Sequence, residues 1–455
     1  MRRTYAALLA AILGFGCLAL PGSFAGAPAA GTILVRLDKS GLERLPAALA
    51  GLIRVHTELE SGWIATFDGR LSAALKSRGA SFDVLDAVPR GKKYFLVDPS
   101  AANEGGRLAA FGRTVPIDER TSLFWTDDGR EVREILPAAF EIKSLSLESG
   151  RSLQTAAEDA QSAGRIMGRL LRPPAYDSRV ASSIAQVSTA ALAANILALQ
   201  NFQTRYASYP GCEQAGDYLY NYFAALGLTV EFDPFTFSSN RTSRNIVAAL
   251  PGKASPEYVV ILCAHYDSTT GSITGPTTAP GADDNASGTA AVMEIARILA
   301  GRSFDFTLKF ICFSAEEWGL YGSKHYAQEA KTAGEKILGV LNMDMIAYPD
   351  AMPEDLDLFA NASSEWLANR FVLCARQYAG IGLVRTVNPG VRASDHSPFW
   401  DQGYSALLAI EDYPVRNPYY HKTTDVLATL NLEFAAAVTK ISLAVAAGLA
   451  QMGLQ

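Results

Sequence analysis

The stretch Ala282-Asp283-Asp284-Asn285-Ala286-Ser287-Gly288 sets two carboxylates side by side ahead of a small-residue turn and an apolar helical run, Thr289 to Leu299. Upstream, the apolar run Tyr258 to Ala264 ends in His265-Tyr266-Asp267. Downstream, Thr307 to Ser314 is followed by Glu316-Glu317, and Ile337 to Met343 by Asp344. Metal-type side chains thus follow the ends of successive strand-like runs. In open α/β sheets ligands bind outside the carboxyl ends of the strands, so groups scattered in the chain are expected to meet at one rim.

The surrounding pattern fits such a sheet. Leu228 to Phe232 and Asn245 to Leu250 read as strands leading into Tyr258. Further strands are expected at Leu356 to Phe359, Leu383 to Val387 and Ser405 to Ile410, with helices at Trp366 to Tyr378 and Leu432 to Ala447. Strands alternating with helices predict an α/β fold with a mixed, largely parallel sheet covered by helices on both faces. Ser188 to Leu226 is helical in pattern: Ile196, Leu199 and Phe202 share a face, as do Tyr218, Tyr222 and Phe223, and these aromatics are read as core.

An α+β region precedes this. Strands at Thr32 to Leu37, Arg54 to Thr57, Trp63 to Phe67 and Phe82 to Leu85, with helices at Gly41 to Ala50 and Arg70 to Ser77, give the split βαβ order βαββαβ. Residues 26–90 are therefore read as a ferredoxin-like module, either a propeptide or a plain structural domain. Residues 91–175 are read as a β-rich segment and linker, with strands at Tyr94 to Val97, Ser122 to Trp125, Val132 to Leu136 and Phe140 to Leu147. Asp127-Asp128-Gly129 signals a turn, and Arg172-Pro173-Pro174 and Asp177 mark the linker.

With 455 residues the chain is too long for one ordinary domain. It is 49% hydrophobic and 19% charged, which suits packed cores. A net charge of −6 without a basic stripe argues against nucleic acid as a partner. Residues 1–25 read as a cleaved signal peptide: Arg2 and Arg3, the apolar Ala6 to Leu20, then Ser23-Phe24-Ala25. Secretion or periplasmic export is expected, without stable membrane association after cleavage, because no later segment reads as long and apolar enough to cross a bilayer. Cys17 lies in the leader; Cys212, Cys263, Cys312 and Cys374 remain, too few for a disulfide scaffold, and Cys263 and Cys312 are read as small buried hydrophobes.

Imidazole and carboxylate are ordinary zinc donors. Two histidines and three carboxylates suffice for two ions if one carboxylate bridges, and metals about 3.5–4 Å apart can hold a hydroxide and polarise a carbonyl together. Neighbouring side chains in an extended segment point to opposite sides, so of Glu316 and Glu317 one can bind metal while the other takes a proton. Each residue also has a plainer reading. His265 alone could be structural, Asp283-Asp284 could favour a helix dipole, and Glu316-Glu317 could open a solvated helix. His56 has no assigned role, His325 is read as structural, and His396 could support the site wall. Gly319, Gly322 and Ser323 are read as a tight turn.

His265-x-Asp267, Gly281-Ala-Asp-Asp-Asn-Ala-Ser-Gly288, Glu316-Glu317-x-Gly-x-x-Gly-Ser323, Asn342-Met-Asp344 and His421-x-x-x-Asp425 together resemble the co-catalytic zinc aminopeptidases of the M28 peptidase family, over roughly Ser188 to Leu443. The resemblance implies a zinc-exopeptidase fold over residues 176–455. It implies two Zn²⁺ ions, with Asp284 bridging, Glu317 and His421 completing one site, and His265 and Asp344 the other. Glu316 would be general base and then acid, and Asp267 would orient His265. The implied reaction is attack by a metal-bridging hydroxide on a peptide carbonyl, releasing the N-terminal amino acid from a peptide with a free N-terminus. Tyr420 matches a position where some relatives place an oxyanion-stabilising tyrosine; in others the tyrosine stands upstream of Ser394-Asp395-His396, where this chain has Val391. A zinc carboxypeptidase or dipeptidase, a glutaminyl cyclase and a non-enzymatic ectodomain share the fold and stand as alternatives. No Gly-x-Ser-x-Gly elbow favours a serine hydrolase.

Overall fold

The computed structural model describes residues 31–452 except 41, 43–44, 60–61, 90–91, 99–107, 109–110, 118–120, 127–135, 137–140, 146, 148–150, 153–163, 239, 272–274, 349, 351–354, 380–383 and 388–389. The expected leader with Cys17, the Asp127-Asp128-Gly129 turn and all of the Val132 to Leu136 strand but Leu136 lie outside the described residues. The chain divides into two compact units, Met1–Gly168 and Arg169–Gln455.

In the first unit, β1 (Thr32–Asp38), β2 (Arg54–Glu58), β3 (Gly62–Asp68) and β4 (Phe82–Asp86) alternate with the short helices α1 (Ala47–Ala50) and α2 (Ser72–Ser77). The sheet order is β4-β1-β3-β2, extended by β9 (Arg151–Ser152). β3 runs antiparallel to both β1 and β2, which is the split βαβ topology. A second sheet of order β6-β7-β5-β8 follows: β5 (Lys93–Asp98), β6 (Arg113–Pro116), β7 (Ser122–Thr126) and β8 (Glu141–Leu145). Strands β6 and β9 were not expected from the sequence; four and two residues carry too little alternation to read. Leu34 and Ile64 of the first sheet join Tyr94, Leu123 and Trp125 of the second in one buried cluster.

The second unit opens with α3 (Ser178–Ile184), α4 (Thr189–Gln200) and α5 (Pro210–Ala225). Ser188 caps α4 by accepting from Ala191 N, and Pro210 occupies the first turn of α5, where a missing N–H costs nothing. Asp177, read as linker, caps α3 and is tied to this unit through its own N–H, which donates to Tyr378 Oη.

The eight-stranded sheet has the order β10-β11-β13-β12-β14-β17-β15-β16. Its strands are β10 (Thr229–Phe237), β11 (Arg241–Leu250), β12 (Tyr258–His265), β13 (Thr307–Phe313), β14 (Lys336–Met343), β15 (Asp357–Ala360), β16 (Val384–Val387) and β17 (Ala406–Ile410). The four strands β13, β12, β14 and β17 run parallel, so their carboxyl ends share one rim. β10 continues past Phe232, where the sequence reading stopped, through Pro234, which pairs in register with Arg244. Proline is tolerated there because β10 is an edge strand.

Val259, Ile261 and Cys263 of β12 face a cluster with Tyr326, Ala327 and Ala330 of α7 (Tyr321–Ala333) and Phe399 and Trp400 of α9 (Ser397–Asp401). The alternate residues Val260, Leu262 and Ala264 point to the other face, where α6 (Gly288–Leu299) and α10 (Leu432–Leu449) contact β12. α8 (Glu365–Tyr378) packs on α10. Helices therefore cover both faces. α10 is long and apolar enough to cross a membrane, contrary to the expectation that no later segment would be, but most of it is buried in this fold. A helix apolar all round is a core helix when enclosed in this way. Cys212, Cys263, Cys312 and Cys374 are all free and buried.

Candidate metal centre

His265 is the last residue of β12, Glu316 and Glu317 follow β13 after Ser314 and Ala315, and Asp344 follows β14 directly. Parallel register holds these ends level: His265 pairs with Phe313, and Cys263 with Asn342. Asp284 lies in the turn entering α6, and His421 in the loop after β17.

The donors fall into two triads, His265 with Glu316 and Asp344, and Asp284 with Glu317 and His421. Asp284 stands between them. Its Oδ1 is 3.2 Å from His265 Nε2 and its Oδ2 is 3.1 Å from His421 Nε2. His265 Nε2 is 3.3 Å from Asp344 Oδ1, and His421 Nε2 is 2.9 Å from Glu317 Oε2. Glu316 Oε2 is farther, 4.0 Å from His265 Nε2. All of the sequence-predicted donors thus meet at the rim.

The turn that presents Asp284 is built from several directions. Asp425 accepts the amide protons of both Asp283 (2.9 Å) and Asp284 (3.1 Å). Asn285 donates to Met343 O and accepts from Gly288 N, tying the turn to the end of β14. Asp283 points away from the triads: it accepts from Ala347 N and from Asn417 Nδ2 and so pins two neighbouring loops. Gly281, at φ +52°, has no room for a Cβ against Asp284 O, and a Cβ on Gly288 would meet Met343 O.

Arg205, fully buried, holds the same turn from beneath. Its Nε donates to Tyr266 O (2.7 Å), Nη1 to Pro280 O (2.6 Å) and Leu199 O (3.1 Å), and Nη2 to Gly281 O (2.7 Å). Burial lowers its pKa to about 10, which leaves it charged at neutral pH. Nothing in the pattern of the sequence marked this residue. An Arg205→Met chain strands four carbonyls without their donor, and each unsatisfied buried group costs about 1–3 kcal/mol. Its urea midpoint is expected to fall by the equivalent of at least about 3 kcal/mol, allowing for relaxation and water entry.

Asp267 serves both sides of the site. Its backbone O lies 3.2 Å from His265 Nδ1 and its Oδ1 3.5 Å, while its carboxylate accepts from the amides of Glu316 (3.2 Å) and Glu317 (3.4 Å). Ser394 donates to Asp344 Oδ2 (2.5 Å) and accepts from Asn342 Nδ2. The Tyr420 ring stacks on His421 at 3.8 Å between centroids, at the exposed side of the site. Val391 is buried among Met345, Phe359, Leu408 and Ile410. Ala315, Met345 and His421 hold φ of +55°, +50° and +54°. Such backbone costs on the order of 1–3 kcal/mol at each residue and gathers at functional sites.

The electrostatics show a shortage of positive charge. Burial raises Glu317 to about 8, with Asp284 adding to it. Burial also raises Glu316 well above the carboxylate range, helped by Glu317, Asp344 and Asp395. Burial opposes charge on both histidines, yet Asp344 and its fellow carboxylates hold His265 well above its ordinary value, and Asp284 and Glu317 bring His421 to about 10. Buried Glu317 Oε1, Asp344 Oδ1 and His421 Nε2 make no well-aligned hydrogen bond; the last two lie instead against oppositely charged groups of the same site, at 3.3 Å and at 2.9 and 3.1 Å. Buried donor atoms of zinc-type ligands that face one another without well-aligned hydrogen bonds, in a carboxylate-rich site, fit divalent cations.

His396 sits behind the rim with Nε2 donating to Val391 O at 3.0 Å and its ring edge-on to Trp400. Burial lowers its pKa to about 4. A histidine held neutral in the fold adds stability above its ordinary pKa near 6.5, lost as pH falls toward about 4. The shift corresponds to about 3 kcal/mol. Between pH 7 and 4, His396→Phe is therefore expected to gain on the parent by about that amount in urea unfolding; a constant difference would show that His396 is not the titrating group.

An eight-stranded, largely parallel sheet with this rim defines an α/β protein of the zinc-exopeptidase class of folds. The model of peptidase family M28 matches residues 245–446, a little under half of the chain. A probable leucine aminopeptidase of Arthroderma otae is 34% identical over 203 residues, 43% of this chain and 54% of that protein. A probable leucine aminopeptidase of Trichophyton verrucosum is 29% identical over 283 residues, 59% of this chain and 75% of that protein. The chain thus spans about half of the first relative's length. Among solved structures, LapB from Legionella pneumophila superposes with a TM-score of 0.56 at 17% identity, covering 92% of this chain and 100% of that one. The aminopeptidase from Aneurinibacillus sp. strain AM-1 gives 0.50 at 19% identity, covering 59% and 96%. These two are likenesses of fold.

Proposed function

We propose that this protein is a di-zinc aminopeptidase that removes N-terminal amino acids from peptides. The observation that carries the proposal is Asp284, whose two carboxylate oxygens each face the imidazole of a different triad, at 3.2 Å and 3.1 Å. A carboxylate so placed can be shared by two cations, Glu317 and His421 holding one and His265 and Asp344 the other. Bound there, zinc would supply Lewis acidity to the peptide carbonyl and an acidified water.

The protein's own groups do the rest. Asp267 fixes His265 from behind, which sets its tautomer and presents Nε2 to the rim. The same carboxylate holds the Glu316 and Glu317 amides, so the base and a ligand are positioned by one side chain. Glu316, farther from His265 Nε2 than Asp284 or Asp344, has room to accept the water's proton and return it to the leaving amine. The Glu316 pKa, raised in the ion-free site, is expected to fall beside two dications, leaving it ionised and able to act as a base. Tyr420 Oη, on the open side, is the proposed donor to the developing oxyanion.

Chelation is expected to abolish turnover and zinc to restore it, with two ions per chain held at the rim, counted as those lost when the rim donors are substituted; full activity in a metal-depleted preparation would defeat the proposal. The substrate class is tested by assaying free, N-blocked and C-blocked short peptides on the same sample. An aminopeptidase loses the N-blocked set and a carboxypeptidase the C-blocked set. The charged, apolar and small-residue order of residues 1–25 supports export through a cleaved signal; N-terminal sequencing of the chain recovered outside the cytoplasm should begin near Gly26.

A further inference from the structure

We propose that Asp233, His325 and Glu329 form a separate, peripheral site for a divalent transition-metal ion of the zinc, cobalt or nickel class. His325 and Glu329 stand four residues apart on α7, one turn along the same face. Asp233 comes from the neighbouring edge strand β10. His325 Nε2 is 3.1 Å from Asp233 Oδ1 and 3.7 Å from Glu329 Oε1, and one donor atom from each residue lies within 4.8 Å of the other two.

The group is supported as metal ligands are supported elsewhere. Asn245 Nδ2 donates to Asp233 Oδ2 at 2.8 Å, which fixes the carboxylate and leaves Oδ1 turned to the histidine. The His325 ring packs on Phe235, with centroids 5.7 Å apart. The Asp233, His325 and Glu329 side chains are 15%, 28% and 66% exposed, so an ion can enter from solvent and keep water in its remaining positions. An imidazole nitrogen selects borderline transition metals over Ca²⁺ and Mg²⁺, which take oxygen ligands. Two carboxylates and a neutral imidazole carry two negative charges, which one dication balances.

The site reaches the metal centre through one side chain. Asn245 also donates to Gly322 O (3.0 Å) and accepts from Ser314 N (3.1 Å), the two ends of the segment that carries Glu316 and Glu317. An ion here clips β10 to α7 and braces that segment.

The test is equilibrium dialysis of the full chain against Zn²⁺, counting ions per chain in the parent, His325→Ala and Glu329→Gln. At zinc concentrations that saturate the parent, each variant is expected to hold one ion fewer, with the lost ion bound at least about tenfold more weakly. The parent's unfolding midpoint should rise over the same zinc range, and the variants' should not. Glu329→Gln changes an exposed helix position and keeps the test valid if His325→Ala fails to fold. Equal counts in the parent and Glu329→Gln would overturn the three-donor site, and an His325–Asp233 ion pair would then account for the contact. The expected difference of one ion holds however many ions the central rim binds, so this inference and the proposed di-zinc centre fail separately.

Discussion

Glu316→Gln is expected to keep both rim zinc ions and lose at least about 10²-fold in turnover, toward 10⁴-fold, the range over which a positioned general base contributes. The amide preserves the shape of the side chain and removes its ability to take a proton. The arrangement makes this a sharp test, because Glu316 Oε2 lies in the same triad as His265 and Asp344. A ligand at that position would give a chain that loses zinc along with activity. A base gives a chain that loses only activity. Elemental analysis and peptide turnover on one preparation separate the two, and an active Glu316→Gln protein would remove the base from the mechanism.

Asp284→Ala should lose both ions together. Each of its oxygens faces a different histidine, so its removal opens both triads at once. Substituting even an outer-shell partner typically costs 10–100-fold in metal affinity; loss of a shared ligand is expected to exceed the upper end of about 100-fold, and turnover should fall with occupancy. Asp344→Ala, by contrast, opens only the triad of His265 and should leave one ion. A stepwise loss of the rim ions, two then one then none across the parent, Asp344→Ala and Asp284→Ala, is the expected series. Loss of a single ion from Asp284→Ala would mean that the carboxylate serves one triad only.

The order of the motifs carried much of this. Runs of apolar residues ending in His265, Glu316-Glu317 and Asp344 announced a parallel sheet with a polar rim, because a strand buried on both faces must be apolar until it leaves the sheet. Asp284 was singled out as a bridge by likeness to a family, not by anything in its own neighbourhood; two adjacent aspartates before a helix read equally well as dipole partners. Asp425 stood inside a recognised motif, yet its work on the amides of Asp283 and Asp284 is a contact across 141 residues of chain, and no local pattern records it. Arg205 was illegible for a related reason: its partners are backbone carbonyls, which every residue has. The extension of β10 through Pro234 was missed because a strand's place in the sheet, edge or centre, decides whether proline is tolerated there.

Residue type and order were enough for the chemistry: imidazoles and carboxylates at strand ends can hold cations and move protons wherever the strands are placed. The grouping was a matter of space. Strand register set His265 level with the residues before Glu316 and beside Asp344, and the turn at Asp284 was aimed by Asp425, Asn285 and Arg205 together. Donor identity is a property of single residues, but the few-ångström distances that sort them into two triads about one carboxylate depend on packing between segments far apart in the chain.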